Sequence, residues 1–254
     1  MEEVSLKNKK AWEYRAYEFW CMNCGTPQQK ASQIKADPWA RLRYHQKYFE
    51  NIKGLQIANV CGSNGRIAVP LAVLGADVTV FDISEENRQY ALELADCAGV
   101  SIRFEVCDFY VVDLNRYGST FDIAYLEGGI LHYFHDIDRF TSLLYRILKP
   151  GGKLILSDFH PFRKIIAAGI PGKNAAVTGG DYFDSEAHSG DVAYKSFFPQ
   201  KEQTDFPDCA LRFYTLSEIL NSVIRAGFQI REFNEHPNWD DGKIPGEFTI
   251  FAGK

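Results

Sequence analysis

From about residue 55 the chain alternates short apolar runs with amphipathic stretches, a pattern that predicts strands separated by helices. Gln56–Val60 reads as a first short strand, and a glycine-containing turn at 61–65 follows it. Residues 67–74 read as a helix ended by Gly75, and 78–81 form a β-branched and aromatic strand. Ser84 is placed to cap a helix running to Ala98, where Gly99 stops it. Third and fourth strands fall at 102–106 and 121–126. Residues 138–148 read as a helix, halted by Lys149-Pro150-Gly151-Gly152, and 153–159 as a fifth strand. Short helical crossovers between apolar strands favour a largely parallel sheet, hence an α/β fold.

The flanks have a different character. Residues 1–54 are helical and aromatic, with Trp12, Ala16, Phe19 and Trp20 at helical spacing. Asp37-Pro38 predicts a helix start, with Trp39, Leu42, Phe49 and Ile52 on one face and Gly54 as its end. Tyr17, Phe19 and Trp20 read either as the packed face of a helix or as part of a lid. Stretch 161–212 is irregular, carries Gly169, Gly172, Gly179, Gly180 and Gly190, and reads as an inserted lid. Within it, 192–198 and 211–214 are expected to pair as a hairpin. Regular structure resumes at Thr215-Leu216-Ser217-Glu218, a capping box whose helix ends at Gly227. Closing strands follow at 228–233 and 247–252. The expected organisation is a helical lid segment at 1–54 and one α/β domain at 55–254 with the insertion at 161–212.

Composition narrows the class. Of 254 residues, 46% are hydrophobic and 24% charged, an ordinary globular balance. The net charge of -5 gives no reason to expect a nucleic-acid partner. No apolar run approaches the ~20 residues of a membrane helix, and the polar first ten residues do not resemble a signal peptide. A cytoplasmic protein is therefore expected, with no membrane association. Six cysteines, at 21, 24, 61, 97, 107 and 209, read as free thiols of a reducing compartment. Cys21 and Cys24 have zinc or redox spacing, but no second such pair or paired histidine motif accompanies them. No metal site is expected, and the oligomeric state is left open.

The candidate chemistry lies at strand ends. The first strand runs into Asn59-Val60-Cys61-Gly62-Ser63-Asn64-Gly65, where glycines permit close approach to a ligand and a helix N-terminus offers free amides. Asp82 ends the second strand, where a carboxylate can accept from both hydroxyls of a ribose. Both features suit an NAD(P)-dependent oxidoreductase as well as another nucleoside-binding protein. Cys107-Asp108-Phe109 ends the third strand, where a carboxylate can accept from an exocyclic adenine amine. Leu126-Glu127-Gly128-Gly129-Ile130-Leu131-His132-Tyr133-Phe134 ends the fourth.

As a set, these stretches and Lys149-Pro150-Gly151-Gly152 resemble the class I S-adenosylmethionine (SAM)-dependent methyltransferases, from about Gly54 to Phe251. The aromatic N-terminal helices and Tyr214-Thr215-Leu216-Ser217-Glu218 are similar to a bacterial small-molecule branch of that family. The resemblance implies a doubly wound, Rossmann-like seven-stranded sheet in the order 3-2-1-4-5-7-6, with strand seven antiparallel. It implies transfer of a methyl from SAM to an O, N or C atom of a small molecule, leaving S-adenosylhomocysteine. It places Gly62, Ser63, Asn64 and Gly65 at the methionine part, Asp82 at the ribose, Ile83, Cys107, Asp108 and Phe109 around the adenine, and Glu127 and Gly128 under the sulfonium. The sequence departs from the family at its first turn. Asn59 holds the usual acidic place, with Cys61 and Ser63 in two glycine places, and Glu127 is the candidate replacement for the missing carboxylate. This departure keeps a non-catalytic SAM-binding protein as a third reading.

Methyl transfer needs positioning and sometimes proton removal, so no nucleophile motif is expected. The candidate catalytic residues are His132 and His160 at strand mouths, as bases, and Tyr133, which can orient an acceptor. His236 and Trp239 are weaker candidates for shaping the pocket. No Asn-Pro-Pro-Tyr motif of an exocyclic-amine methyltransferase follows strand four.

Overall fold

The computed structural model describes residues 1–165 and 180–254. Part of the expected 161–212 insertion, including Gly169, Gly172 and Gly179, therefore lies outside the described residues. The chain opens with helices α1 (Glu3–Glu13), α2 (Ala16–Cys24) and α3 (Pro27–Ala36), then a tight 3-10 turn at Arg43–Tyr48. The core follows as β1 (Gln56–Val60), α4 (Ala68–Val73), β2 (Asp77–Asp82), α5 (Glu85–Ala98), β3 (Arg103–Val106), α6 (Leu114–Tyr117), β4 (Phe121–Glu127), α7 (Ile137–Ile147) and β5 (Leu148–Phe159). After α8 (Phe162–Ile165) come β6 (Ala187–Gly190), β7 (Cys209–Arg212), α9 (Leu216–Arg225), β8 (Gln229–Pro237) and β9 (Pro245–Gly253).

One sheet of seven strands runs in the order β3-β2-β1-β4-β5-β9-β8. Strands β1 to β5 are parallel, and β9 lies antiparallel to both neighbours. This is the expected order, with β8 and β9 as the sixth and seventh strands of the sheet. Both faces are covered, so the central strands are apolar on both sides. Ala124, Leu126, Leu154 and Leu156 face a core shared with Phe140, Leu144 and Val223. Ile123, Tyr125 and Ile155 face the other core, with Leu42, Phe49, Ile57 and Leu71.

Local signals explain the helix ends. The Ser84 side chain accepts from the Asn87 amide, and Gly99 closes α5 at φ 78°. The Thr215–Glu218 capping box is reciprocal as expected.

Three expectations need correction. The N-terminal aromatic stripe is not one helix: Arg15 adopts φ 58° and separates α1 from α2. Asp37 does not start a helix but ends α3, which begins at a Thr26 capping box with Gln29 and Pro27 at its first position. The Asp37 carboxylate instead accepts from the Trp39 amide, turning the chain locally. Leu42, Phe49 and Ile52 are still buried together, so burial was legible where helicity was not. The hairpin pairs Ala187–Gly190 with Cys209–Arg212, not 192–198 with 211–214. Val192, Tyr194 and Phe198 instead pack with Phe19, Trp20 and Phe206, because aromatic burial against α2 outweighs strand propensity there.

Candidate functional site

A cavity of about 860 Å³ opens at the C-terminal ends of β1 to β4. Parallel sheets place ligands there because strand ends and helix N-termini converge with unpaired backbone groups. Ser63, Asp82, Ile83, Cys107, Asp108, Phe109, Glu127 and Gly128 line it, so eight of the twelve cofactor candidates meet in one place. Tyr133 lines it too, its ring 5.7 Å from Trp12.

The first turn is built from below. Asn59 lies under it, donating its amide to the Tyr125 carbonyl at 3.2 Å. A Cβ on Gly62 would collide with the Asn59 side-chain oxygen and lie 2.8 Å from Val80 Cγ1. Gly62→Ala is therefore expected to lower unfolding free energy by ~1–3 kcal/mol through overpacking, checked by denaturant titration. Unchanged stability would contradict this account of the turn. Gly65 backs onto Ala91, and Asn64 is buried, with its oxygen accepting from the Arg66 amide. Asn59, Gly62, Asn64 and Gly65 thus shape the cavity without lining it. Cys61 and Ser63, standing in two glycine places, both keep φ 51°. The left-handed turn is preserved despite two side chains, at a cost of ~1–2 kcal/mol for each such residue.

Asp82 fixes this turn to the next strand. Its Oδ2 accepts from the Ser63 amide at 2.9 Å, and its Oδ1 from the Ser84 amide and Asn87 Nδ2 at 3.0 Å each. Burial pushes its pKa up against those three donors. Asp108 is 3% exposed; its Oδ1 accepts from the Tyr110 amide at 3.0 Å, while its Oδ2 is buried without a partner. The Ser63 hydroxyl is likewise buried without one. Two orphaned polar atoms on one cavity wall fit a ligand that donates and accepts there. Cys61 and Cys107 are neutral thiols, Cys107 pushed up to about 12 by burial, so neither serves as a nucleophile.

Glu127 is the cavity's third carboxylate. It is ion-paired with Arg41 and accepts from the Tyr125 hydroxyl at 2.5 Å. A phenol donating there must accept from His45, 2.8 Å away, which fixes the Nδ1–H tautomer. His45 Nε2 then faces the Thr249 hydroxyl at 3.1 Å, and His236 contacts the same hydroxyl at 2.8 Å. His236 therefore supports this buried chain rather than lining the cavity.

Sequence reasoning missed the roof. Ser5, Asn8 and Trp12 line the cavity from α1, with Trp20 from α2. Their 5-8-12 spacing is a helical stripe, a signal that marks one face but not what it covers. Asn8 ties α1 down by accepting from the Ala210 amide at 2.7 Å and donating to the Ala210 and Tyr133 carbonyls. Trp20 Nε1 donates to Asn87 at 2.7 Å, so Trp20 is both packed and cavity-lining, whereas Tyr17 bonds Glu93 outside the cavity. Arg66 was also missed. Cys21 and Cys24 are free thiols, and among the described residues no cluster of three or more potential metal ligands occurs.

A second cavity, about 710 Å³, lies across the 129–133 turn. His132 and His160 line this one, with Asp158, Phe159, Arg163, Phe213 and Tyr214. Gly129 allows the two cavities to sit so close: a Cβ there would lie 2.5 Å from the Phe159 ring. His132 is held neutral, its pKa lowered to about 4 by burial and then by Arg163. His160 is also lowered by burial, with its Nε2 3.0 Å from Glu235.

Residues 59–156 match the family model described as a methyltransferase domain. Among curated relatives, the ubiquinone biosynthesis O-methyltransferase of Rhizobium leguminosarum bv. trifolii is 28% identical over 119 residues, 47% of this chain and 46% of that protein. That of Methylocella silvestris is 28% identical over 152 residues, 59% of this chain and 55% of that protein. The chain thus spans about half the length of the curated relatives it matches. In fold, it is similar to a SAM-dependent methyltransferase of Mesorhizobium loti, with TM-score 0.63 and 22% identity over 85% of this chain and 98% of that one. It is also similar to magnesium protoporphyrin IX methyltransferase of Synechocystis PCC 6803, solved with bound S-adenosylhomocysteine. There the TM-score is 0.60 and the identity 16%, over 99% of this chain and 100% of that one. No helix among the described residues is long and apolar enough to cross a membrane. Residues 59–156 thus match a methyltransferase domain, and the whole sheet has the fold of solved SAM-dependent methyltransferases.

Proposed function

We propose that this protein transfers the methyl group of SAM to a small-molecule acceptor, with the cofactor in the first cavity and the acceptor in the second. One observation carries the reading: Asp82 and the orphaned Asp108 oxygen line a single cavity at the mouths of β2 and β3. Asp82 Oδ2, which accepts from the Ser63 amide, keeps a lone pair for a ribose hydroxyl, and Asp108 Oδ2 accepts from an adenine amine between Ile83 and Phe109. Glu127, beside Arg41 and Arg66, offers opposite charges suited to a zwitterionic amino-acid tail. Glu127 thereby takes the part of the carboxylate that Asn59 lacks.

When bound, SAM supplies a methyl already activated by its sulfonium. The protein's own residues then orient and enclose. α1 covers the first cavity with Ser5, Asn8 and Trp12, acting as the lid. The face of Trp12 or Trp20 favours a cation. Tyr133 closes the first cavity beside the cofactor, while neutral His132, which lines the second, accepts the acceptor's proton. His160 takes a structural part through the Phe162 amide, which donates to its Nδ1 at 3.1 Å.

Ser63→Gly separates fold from ligand. Relief of the φ 51° strain should raise stability by ~1 kcal/mol, while loss of the orphaned hydroxyl should weaken S-adenosylhomocysteine binding. Parallel thermal unfolding and calorimetry check it, and tighter binding would contradict the ligand role of Ser63. The activity itself is tested by release of S-adenosylhomocysteine from SAM across a panel of hydroxyl, amine and carbon acceptors. Binding without turnover on any acceptor would instead favour a non-catalytic SAM-binding protein.

A further inference from the structure

The second cavity is lined by a guanidinium that forms no ion pair with any described residue. The Arg163 guanidinium lies over the Phe159 ring at 4.1 Å and the Trp239 ring at 4.6 Å. Its Nη1 is buried and has no hydrogen-bond partner among the described residues. Leaving a charged donor buried and unpaired is costly, and such a group in a native cavity points to a missing acceptor.

The carboxylate lining the same cavity cannot supply it. Asp158 Oδ2 accepts from the Ile130 and Leu131 amides at 2.8 Å each, and its Oδ1 from the Phe159 amide at 2.6 Å. That carboxylate ties the turn between the two cavities to β5. Glu235 lies against His160 instead. Among the described residues, none forms an ion pair with Arg163, although Glu247 and Asp240 act on it at longer range. Both histidines of the cavity are held neutral by burial, so among the described residues its unpaired charge is the Arg163 guanidinium.

The surrounding walls are flat and unsaturated. The His132 ring is within 10° of parallel to Phe159, at 6.5 Å between centroids, and within 26° of Phe213 at 6.1 Å. Outside the lining, Trp239 is 62% exposed and meets Phe159 edge-on at 6.0 Å, so an aromatic surface continues beyond the cavity mouth.

We infer that the second cavity recognises an aromatic carboxylate, with Arg163 pairing the carboxylate in its planar fork and the rings of Phe159, Phe213 and Trp239 packing the arene. A guanidinium stacked on two rings is already oriented, so little entropy is lost when it pairs. Such pairing also removes the positive field that depresses His132, making that imidazole a better proton acceptor when the anion is bound. Arg163 is thus a specificity-determining residue. The inference rests on the second cavity being the acceptor site.

The test is calorimetry on the full chain saturated with S-adenosylhomocysteine. The probes are one- and two-ring hydroxyarenecarboxylates, each with its neutral carboxamide. The wild type is expected to bind at least one carboxylate about tenfold or more tightly than its amide. Arg163→Leu should remove that preference, and Arg163→Lys should restore part of it. S-adenosylhomocysteine affinity should be unchanged in both variants, and Arg163→Leu, which removes a buried unpaired donor, should melt no lower than wild type. Equal binding of acids and amides, no binding of either, or a preference that survives Arg163→Leu overturns the inference. The cofactor titration is its control: failure of S-adenosylhomocysteine to bind refutes the functional reading itself, whereas cofactor binding without acid preference refutes only the role of Arg163.

Discussion

Replacing Asp82 by alanine is expected to weaken S-adenosylhomocysteine binding by ~2–4 kcal/mol, a loss of roughly thirtyfold to a thousandfold. Two losses combine. The first is a charge-assisted hydrogen bond from a ribose hydroxyl to Asp82 Oδ2. The second is the anchor of the first turn, because the Ser63 amide, the Ser84 amide and Asn87 Nδ2 all converge on this carboxylate. Asp82→Asn distinguishes them: with its oxygen in the Oδ2 place it retains an acceptor for the ribose and for the Ser63 amide, but sets its own amide donor against the Ser84 amide and Asn87 Nδ2. Its loss should be intermediate if both contributions operate. An affinity within twofold of wild type in the alanine variant would mean that the ribose lies elsewhere.

Acidification from pH 7 to 5 should cost about 2 kcal/mol of stability through His45 alone. His45 is 4% exposed and its pKa is lowered to about 4, first by burial, with His236, Arg41 and Lys47 adding and Glu127 opposing. The unfolded imidazole titrates near 6.5. Between these values the unfolded state binds the extra proton, so stability is present above about 6.5 and is lost as pH falls towards 4. Asp82 and Asp158 act in the opposite sense, since burial raises their pKa values and their contribution is lost as pH rises through them. A variant therefore isolates the histidine. His45→Gln keeps hydrogen-bonding groups towards Tyr125 and Thr249 but cannot titrate, and its urea-unfolding free energy should change less between pH 7 and 5 than that of wild type. Identical slopes would show that His45 is not neutral in the fold.

Much of the core was legible because each strand of the α/β unit carries its own punctuation. Gly75, Ser84, Gly99 and Thr215 mark helix boundaries by local chemistry, and the structure uses each near the expected place. The N-terminal region was less legible. Arg15 breaks a helix without glycine or proline, in a left-handed conformation whose side chain makes contacts remote in sequence. One is the ion pair with Glu202 at 2.9 Å. The Thr26-Pro27-Gln28-Gln29 start of α3 was readable in principle, but Asp37-Pro38 presented a competing signal nearby.

The site divides in the same way. Asp82, Asp108 and Glu127 were readable because strand ends fix where they point. The separation of His132 from Tyr133 was not, because one short turn sends neighbouring residues into different cavities. Nor was the roof, since Ser5 and Asn8 are unremarkable residues whose value comes from where α1 docks. Arg163 escaped notice because an unpaired guanidinium is visible only once the surrounding partners are known.

The most direct measurement is calorimetric titration of the wild-type protein with S-adenosylhomocysteine, set beside NADH. The account predicts saturable one-site binding of S-adenosylhomocysteine and none of NADH. No heat with S-adenosylhomocysteine at high micromolar concentration, or binding of NADH in its place, would contradict the assignment of the first cavity.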